Sequence, residues 1–310
     1  MARYVRVATV SSRQAGAEDS PEGQIAANRE RQRTLVERAC LDKPDIVCMT
    51  EVITWYGLER SRLPIAAEPL DGPTIQTFSE VAREHHCYVI VPIFTVEDGH
   101  IYNSQVLLDR KGNLASVYHK IHPTINEIEM GVTPGAEAIV TDTDFGRTGF
   151  AICYDLNFRD VAEGNQAHDA EIVFFSSMHA GGLQLSIWAH DFSFFMASAT
   201  PGSESRIVDP LGRWLIESDA AYQPINVRTI NLDYRVLHLD FNHAKLGAIK
   251  KQYGAGVELD VARPEAVFCM YSHLEDTTCD DIIREFDLET RAAYFRRANR
   301  VRTAALNGHK

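Results

Sequence analysis

The chain has 310 residues, 45% hydrophobic and 24% charged, the composition of a soluble globular protein with one large α/β domain or two ordinary ones. Its 31 basic and 43 acidic residues give a net charge of −12, which argues against a nucleic-acid or anionic-membrane surface. No apolar run approaches the ~20 residues of a membrane span. Residues 1–10 alternate like a strand and lack the apolar core of a signal peptide. Six cysteines (40, 48, 87, 153, 269, 279) form no close CxxC pair in a chain that needs no staples, so a reduced, cytoplasmic protein is expected.

In chain order, a strand over Arg3 to Val10 precedes a polar loop, and Ile25 to Leu41 reads as a helix with an Arg/Glu-rich face. The run Asp45-Ile-Val-Cys-Met-Thr-Glu51 is a strand buried on both faces. An amphipathic helix over Thr74 to His86 leads to a third buried strand, Tyr88 to Phe94. A hairpin follows, Asn103 to Asp109 and Leu114 to His119, turning on Arg110-Lys-Gly-Asn113. Ile121 to Gly135, with two prolines and two glycines, reads as a loop. Strands over Ala138 to Thr143 and into Cys153, a helix from about Phe158, and a strand over Glu171 to Ser177 come next. Leu183 to His190 is expected to be helical and Phe194 to Thr200 extended. Ser205 to Ile216 is a hairpin with Asp209-Pro-Leu-Gly212 as its turn. This mixture of α/β units and hairpins predicts a sheet sandwich with helices outside. Cys279 to Arg297 reads as a charge-rich helical tail, and the five arginines between 291 and 302 suggest that it packs on a neighbouring subunit.

Three ionisable residues end apolar strands. Glu51 follows Ile46 to Thr50, Lys120 follows Ala115 to His119, and Cys153 follows Gly149 to Ile152. A carboxylate can take a thiol proton, while an ammonium favours the thiolate and stabilises an oxyanion, so the three make a coherent acyl-transfer set. Cys40, Cys48, Cys87 and Cys269 sit in apolar surroundings and read as core residues. His85-His86-Cys87 and His119/His122 lack a third and fourth ligand at zinc spacing, so neither metal nor cofactor is expected.

These motifs resemble those of the nitrilase superfamily of carbon–nitrogen hydrolases over roughly residues 3 to 240. Phe145-Gly-Arg-Thr-Gly-Phe-Ala-Ile-Cys-Tyr-Asp155 resembles the nucleophile signature, Val117-Tyr-His-Lys-Ile-His122 the lysine motif, and Asp45 to Glu51 the glutamate strand. Pro134-Gly135 and the Ser205 to Gly212 hairpin fall in the expected order. The resemblance implies a four-layer α-β-β-α sandwich that pairs into αββααββα dimers, with a hydrolase domain over 1–275 and a helical tail over 276–310 as an oligomer contact.

It also implies roles. Glu51 would be the general base, Cys153 the nucleophile that forms a thioester, and Lys120 with the Tyr154 N–H the oxyanion site. Glu127 would be the second glutamate, with Glu129 as its rival. Trp55, Tyr56, Ser177, Met178 and His179 would line the substrate pocket. Cys153-Tyr-Asp155 resembles the amidase side of the superfamily, since nitrilases proper usually carry Glu two residues after the cysteine. Departures occur beyond Ala180, where Ile187-Trp-Ala-His-Asp-Phe-Ser193 replaces the usual Arg-Ala-x-Glu-Asn helix. A small amide or N-carbamoyl compound is the expected substrate. A nitrile, or a catalytically silent binding and assembly role, is the alternative.

Overall fold

A computed structural model describes residues 2–202, 204–219 and 222–308. It divides into two compact units, Val5–Ile230 and a second one from residue 231 onward together with residues 2–4.

The first unit begins with β1 (Tyr4–Val10), α1 (Pro21–Cys40), β2 (Ile46–Met49), a short α2 (Leu63–Ala66), α3 (Pro73–His85), β3 (Tyr88–Glu97), β4 (His100–Leu108) and β5 (Leu114–His119). It continues with α4 (Ile125–Glu129), β6 (Val140–Asp142), β7 (Arg147–Ile152), α5 (Arg159–Ala167), β8 (Ile172–Ser176), α6 (Gly182–Phe192), β9 (Phe195–Ala199), β10 (Arg206–Val208), β11 (Trp214–Glu217) and β12 (Ile225–Asn231). Two six-stranded mixed sheets result, in the orders β12-β1-β2-β3-β4-β5 and β11-β10-β9-β8-β7-β6. β1, β2 and β3 run parallel, as do β7, β8 and β9, while the hairpins add antiparallel edges.

Alternation along the strands makes the layers. Val47, Met49, Val89, Val91 and Val106 pack against Val36 and Ala39 of α1 and Phe78 and Val81 of α3. Val173, Phe175 and Met196 pack against Val161 of α5 and Leu185, Trp188 and Phe192 of α6. The opposite faces meet between the sheets. There Ser176 Oγ donates to the Met49 carbonyl at 2.7 Å and Gln105 Nε2 to Ser176 Oγ at 2.8 Å. The order is therefore helix, sheet, sheet, helix, the α-β-β-α sandwich expected.

Two local readings change. The first helix starts four residues earlier than expected, because Ser20 caps the Gly23 N–H at 3.0 Å and Pro21 takes the first turn. The expected loop over 121–135 contains α4, because Thr124 and Glu127 form a reciprocal capping box that nucleates one turn.

The second unit has its own core. β13 (Tyr234–His238), β14 (Val257–Ala262) and β15 (Val267–Ser272) form a sheet in the order β13-β15-β14. Leu237, Phe268 and Met270 bury against Ile249 of α7 (Leu246–Tyr253) and Ile282 of α8 (Cys279–Glu285), and α9 (Arg291–Gly308) follows. The expected boundary at 276 lies inside this unit, between β15 and α8.

Gly149 on β7 illustrates why the cysteine strand carries glycine. A Cβ there would lie 2.0 Å from Asn165 Oδ1, and Asn165 clamps both the N–H and the carbonyl of Phe150 from α5. Gly149→Ala is therefore expected to cost about 2–4 kcal/mol through displacement of that clamp, read as a lower urea midpoint with an unchanged m-value.

Candidate active site

Chain ends of parallel strands place the chemistry. Glu51 lies two residues past β2, Cys153 follows β7 directly and Ser177 follows β8 directly. In α/β sheets such carboxyl ends are where ligands bind. Lys120 comes from the antiparallel edge. Its N–H continues the ladder to the Asn103 carbonyl at 2.8 Å, and its carbonyl accepts from the Gly135 N–H at 2.8 Å. A Cβ on Gly135 would lie 2.2 Å from the His119 carbonyl, so glycine in Pro134-Gly135 is what lets this loop pair with the lysine strand. Strand alternation sends Tyr118 and Lys120 inward and His119 outward, where its ring meets Ser104 Oγ at 2.9 Å and stacks on Tyr102.

Lys120 is 1% exposed and Glu51 3%. The ammonium lies 2.8 Å from Glu51 Oε1, and 3.0 and 2.8 Å from Glu127 Oε1 and Oε2. All three of its donors thus face carboxylate oxygens. Burial opposes the lysine charge, but the two carboxylates more than offset it and raise the ammonium above its ordinary range. Glu127 likewise loses solvation, yet Lys120 and the hydrogen bonds to Thr124 and Asn103 hold it below the usual carboxylate range. Glu127 owes its position to the capping box: Thr124 N–H donates to Oε2 at 2.7 Å while Oε1 faces Lys120 and Asn103. Glu129 is exposed, so the structure brings Glu127 and not Glu129 to Lys120.

Cys153 sits at φ 46°, a left-handed conformation uncommon for a non-glycine residue. Asp155 holds it. Fully buried, its Oδ2 accepts from Ile152 N–H at 2.9 Å and Tyr118 Oη at 2.7 Å, and its Oδ1 from His122 N–H at 2.8 Å. One carboxylate thereby ties the cysteine turn to both sides of Lys120. Burial raises Asp155 above the usual carboxylate range against those three bonds. The Tyr154 N–H opens the first turn of a short 3-10 helix, where backbone donors have no intrahelical acceptor.

Desolvation pushes the Cys153 thiol up to about 12, and the Glu51 charge adds to it. Lys120, the Ser177 hydroxyl and the Met178 N–H act in the opposite direction. The same Met178 N–H donates to Glu51 Oε2 at 3.0 Å, and Ser177 Oγ accepts from His179 N–H at 2.9 Å. Met178 and His179 are exposed beside this cluster. Trp55 and Tyr56 are differently engaged. Tyr56 is buried and donates to Thr50 Oγ1 at 2.6 Å, while Trp55 packs edge-on against Phe94 at 5.4 Å. Their side chains brace the loop after β2. Asn103 belongs to the cluster but carried no sequence signal beyond its place in a hairpin; only the β4–β5 register sets it opposite Lys120.

The carbon–nitrogen hydrolase family profile matches residues 6–236. The chain belongs to the carbon–nitrogen hydrolase family. Among curated relatives, the nitrilase and fragile histidine triad fusion protein NitFhit of Drosophila melanogaster is 28% identical over 239 residues, 68% of this chain and 51% of that protein. The omega-amidase NIT2 of Mus musculus is 25% identical over 256 residues, 73% of this chain and 86% of that protein. The chain thus spans about half the length of the fly fusion protein. Crystalline Nit3 of Saccharomyces cerevisiae, a member of the nitrilase superfamily, shares the fold at a TM-score of 0.65, with 20% identity over 78% of this chain and 94% of that one.

The opposed influences on Cys153 have a measurable consequence. Glu51→Gln removes a charge that disfavours the thiolate and is expected to speed iodoacetamide alkylation of Cys153 at neutral pH by about 10-fold. Ser177→Ala removes a stabilising donor and is expected to slow it; mass spectrometry of the Cys153 peptide reads both.

Proposed function

We propose that this chain is a thiol-dependent hydrolase of a non-peptide C–N bond in a small amide or N-carbamoyl compound. The observation that carries the reading is the buried arrangement in which Glu51 accepts from Lys120 and the Met178 N–H while its charge acts on the Cys153 thiol. Amide is preferred over nitrile on two grounds, Asp155 two residues after the cysteine and the amidase names of relatives such as mouse NIT2.

In this reading the resting thiol is protonated, and Glu51 takes its proton as sulfur attacks the amide carbon. The oxyanion that forms accepts from the Tyr154 N–H and from Lys120, drawing on the donor now held by Glu127 Oε1 at 3.0 Å. The C–N bond breaks as protonated Glu51 delivers its proton to the leaving amine. Water then attacks the thioester, Glu51 accepts its proton, and the acid leaves as the thiol is restored. Ser177, Met178 and His179 lie where the acyl group would bind, beside Glu51 and Cys153.

Two further assignments are part of the proposal. The first is self-association through α9, which leaves Phe295, Val301 and Leu306 exposed next to Arg296, Arg300 and Arg302 in a chain of net charge −12. The second is a cytoplasmic setting, supported by six free thiols; among the described residues no helix is long and apolar enough to cross a membrane.

The test is ammonia release from butyramide, succinamate, N-carbamoyl-β-alanine and the matching nitriles. Wild-type protein is expected to hydrolyse at least one amide or carbamoyl compound, and Cys153→Ala to lose at least about 10⁴-fold in kcat. Turnover of nitriles alone, or retention of activity without the thiol, would sink the reading. Truncation before α9 is expected to lower the mass measured by light scattering.

A further inference from the structure

The Glu51 and Glu127 carboxylates share two donors, and only one of them is charged. Lys120 Nζ lies 2.8 Å from Glu51 Oε1 and 3.0 Å from Glu127 Oε1. Asn103 Nδ2 reaches the same two oxygens, at 2.8 and 2.7 Å. The four groups close a ring in which each of these oxygens accepts from both an ammonium and an amide. Asn103 is 1% exposed, so the ring is cut off from water on that side.

Two carboxylates around one ammonium leave a net negative charge, and like charges in a poorly solvated site push one group to protonate. A second cation would cancel that charge but would also take up the electron density the base needs. A neutral amide adds a bridge without adding charge. Its orientation is fixed, because turning it would set Oδ1 against two carboxylate oxygens. The Oδ1 atom has no hydrogen-bond partner among the described residues, a cost accepted to hold Nδ2 in place. The backbone supports the same arrangement through the Lys120 N–H on the Asn103 carbonyl.

We propose that Asn103 is a positioning residue of the reaction, bridging Glu51 and Glu127 so that the Glu51 carboxylate is held in place to receive the thiol proton. It touches no reacting atom and acts through Glu51, and its catalytic meaning rests on the amide-hydrolase reading above. The titratable groups facing this pair are Lys120 after β5, Cys153 after β7, Tyr56 on the loop after β2 and Asp155 behind Lys120. None of the last three donates to either carboxylate.

The sign of the effect follows. Hydrogen bonds donated to a carboxylate favour its charged form, so loss of the Asn103 donor raises Glu127 from its lowered position. Asn103→Leu removes the donor at similar volume. Asn103→Asp keeps the shape and adds a third carboxylate, and it carries the test if the leucine variant does not fold. The expected result for the folded variants, checked by circular dichroism, is a kcat lowered by about 10- to 100-fold on the amide that wild type hydrolyses fastest. KM should stay near its wild-type value, with the acid limb of the kcat/KM profile moved up by about one to two pH units. Carboxyl-¹³C glutamate NMR titration, assigned with Glu127→Gln, should show the same upward movement without any substrate. Wild-type midpoints in both folded variants would overturn the proposal while leaving the amide-hydrolase reading intact. A wild-type protein inert toward every amide would end that reading, and the NMR midpoints would still decide what Asn103 does to the two carboxylates.

Discussion

A buried ammonium shared by two carboxylates is the interaction on which the rest of this site depends. Removed from water alone, Lys120, Glu51 or Glu127 would each neutralise rather than stay charged. Together they satisfy one another, raising Lys120 and lowering Glu127, and they fix three pieces of backbone relative to one another: the end of β2, the end of β5 and the single turn of α4. The sandwich serves this requirement. Glu51 arrives on a parallel strand, Lys120 on an antiparallel edge strand, and the capping box turns Glu127 back toward both. A pair with only one carboxylate would leave a lysine proton unsatisfied in a place with no solvent.

Asp155 performs the corresponding task for Cys153. A left-handed cysteine at a strand end is a strained conformation, and three hydrogen bonds onto one buried carboxylate hold it. Because two of those donors, Tyr118 Oη and the His122 N–H, flank Lys120 in the chain, the sulfur turn and the lysine segment are tied to the same carboxylate. The Cys153-Tyr-Asp155 motif therefore has a structural content separate from any preference for amide or nitrile. The same site keeps its thiol protonated at rest, since burial and the Glu51 charge outweigh Lys120, Ser177 and the Met178 N–H.

Much of this was legible in the chain. Buried strands announce themselves as apolar runs, and Glu51, Lys120 and Cys153 each interrupt such a run with a group that an apolar strand would not otherwise carry. Glu127 was legible through its spacing from Lys120, although Glu129 remained a rival until the Thr124 cap showed which carboxylate turns inward. Trp55 and Tyr56 show where the sequence stops deciding. Aromatic residues after a buried strand look the same in sequence whether they meet a ligand or the protein, and in the structure Tyr56 bonds Thr50 while Trp55 packs on Phe94. The fold between residues 230 and 270 was not legible, because β13, β14 and β15 are short and paired out of order, whereas the helical reading from Cys279 onward coincides with α8 and α9.

The sequence by itself determined the layers and singled out the ionisable groups that end buried strands, because hydrophobic periodicity and the placement of ionisable residues are properties of the one-dimensional chain. What only the tertiary structure decided is which polar groups share a partner. Asn103 is 17 residues from Lys120 and 52 from Glu51, and nothing in its neighbourhood marks it. Its role exists only because the β4–β5 register lays its amide across from the lysine, where both residues are buried. Hydrogen-bond partnership across strands is a long-range property, set by register and burial, and no local pattern encodes it.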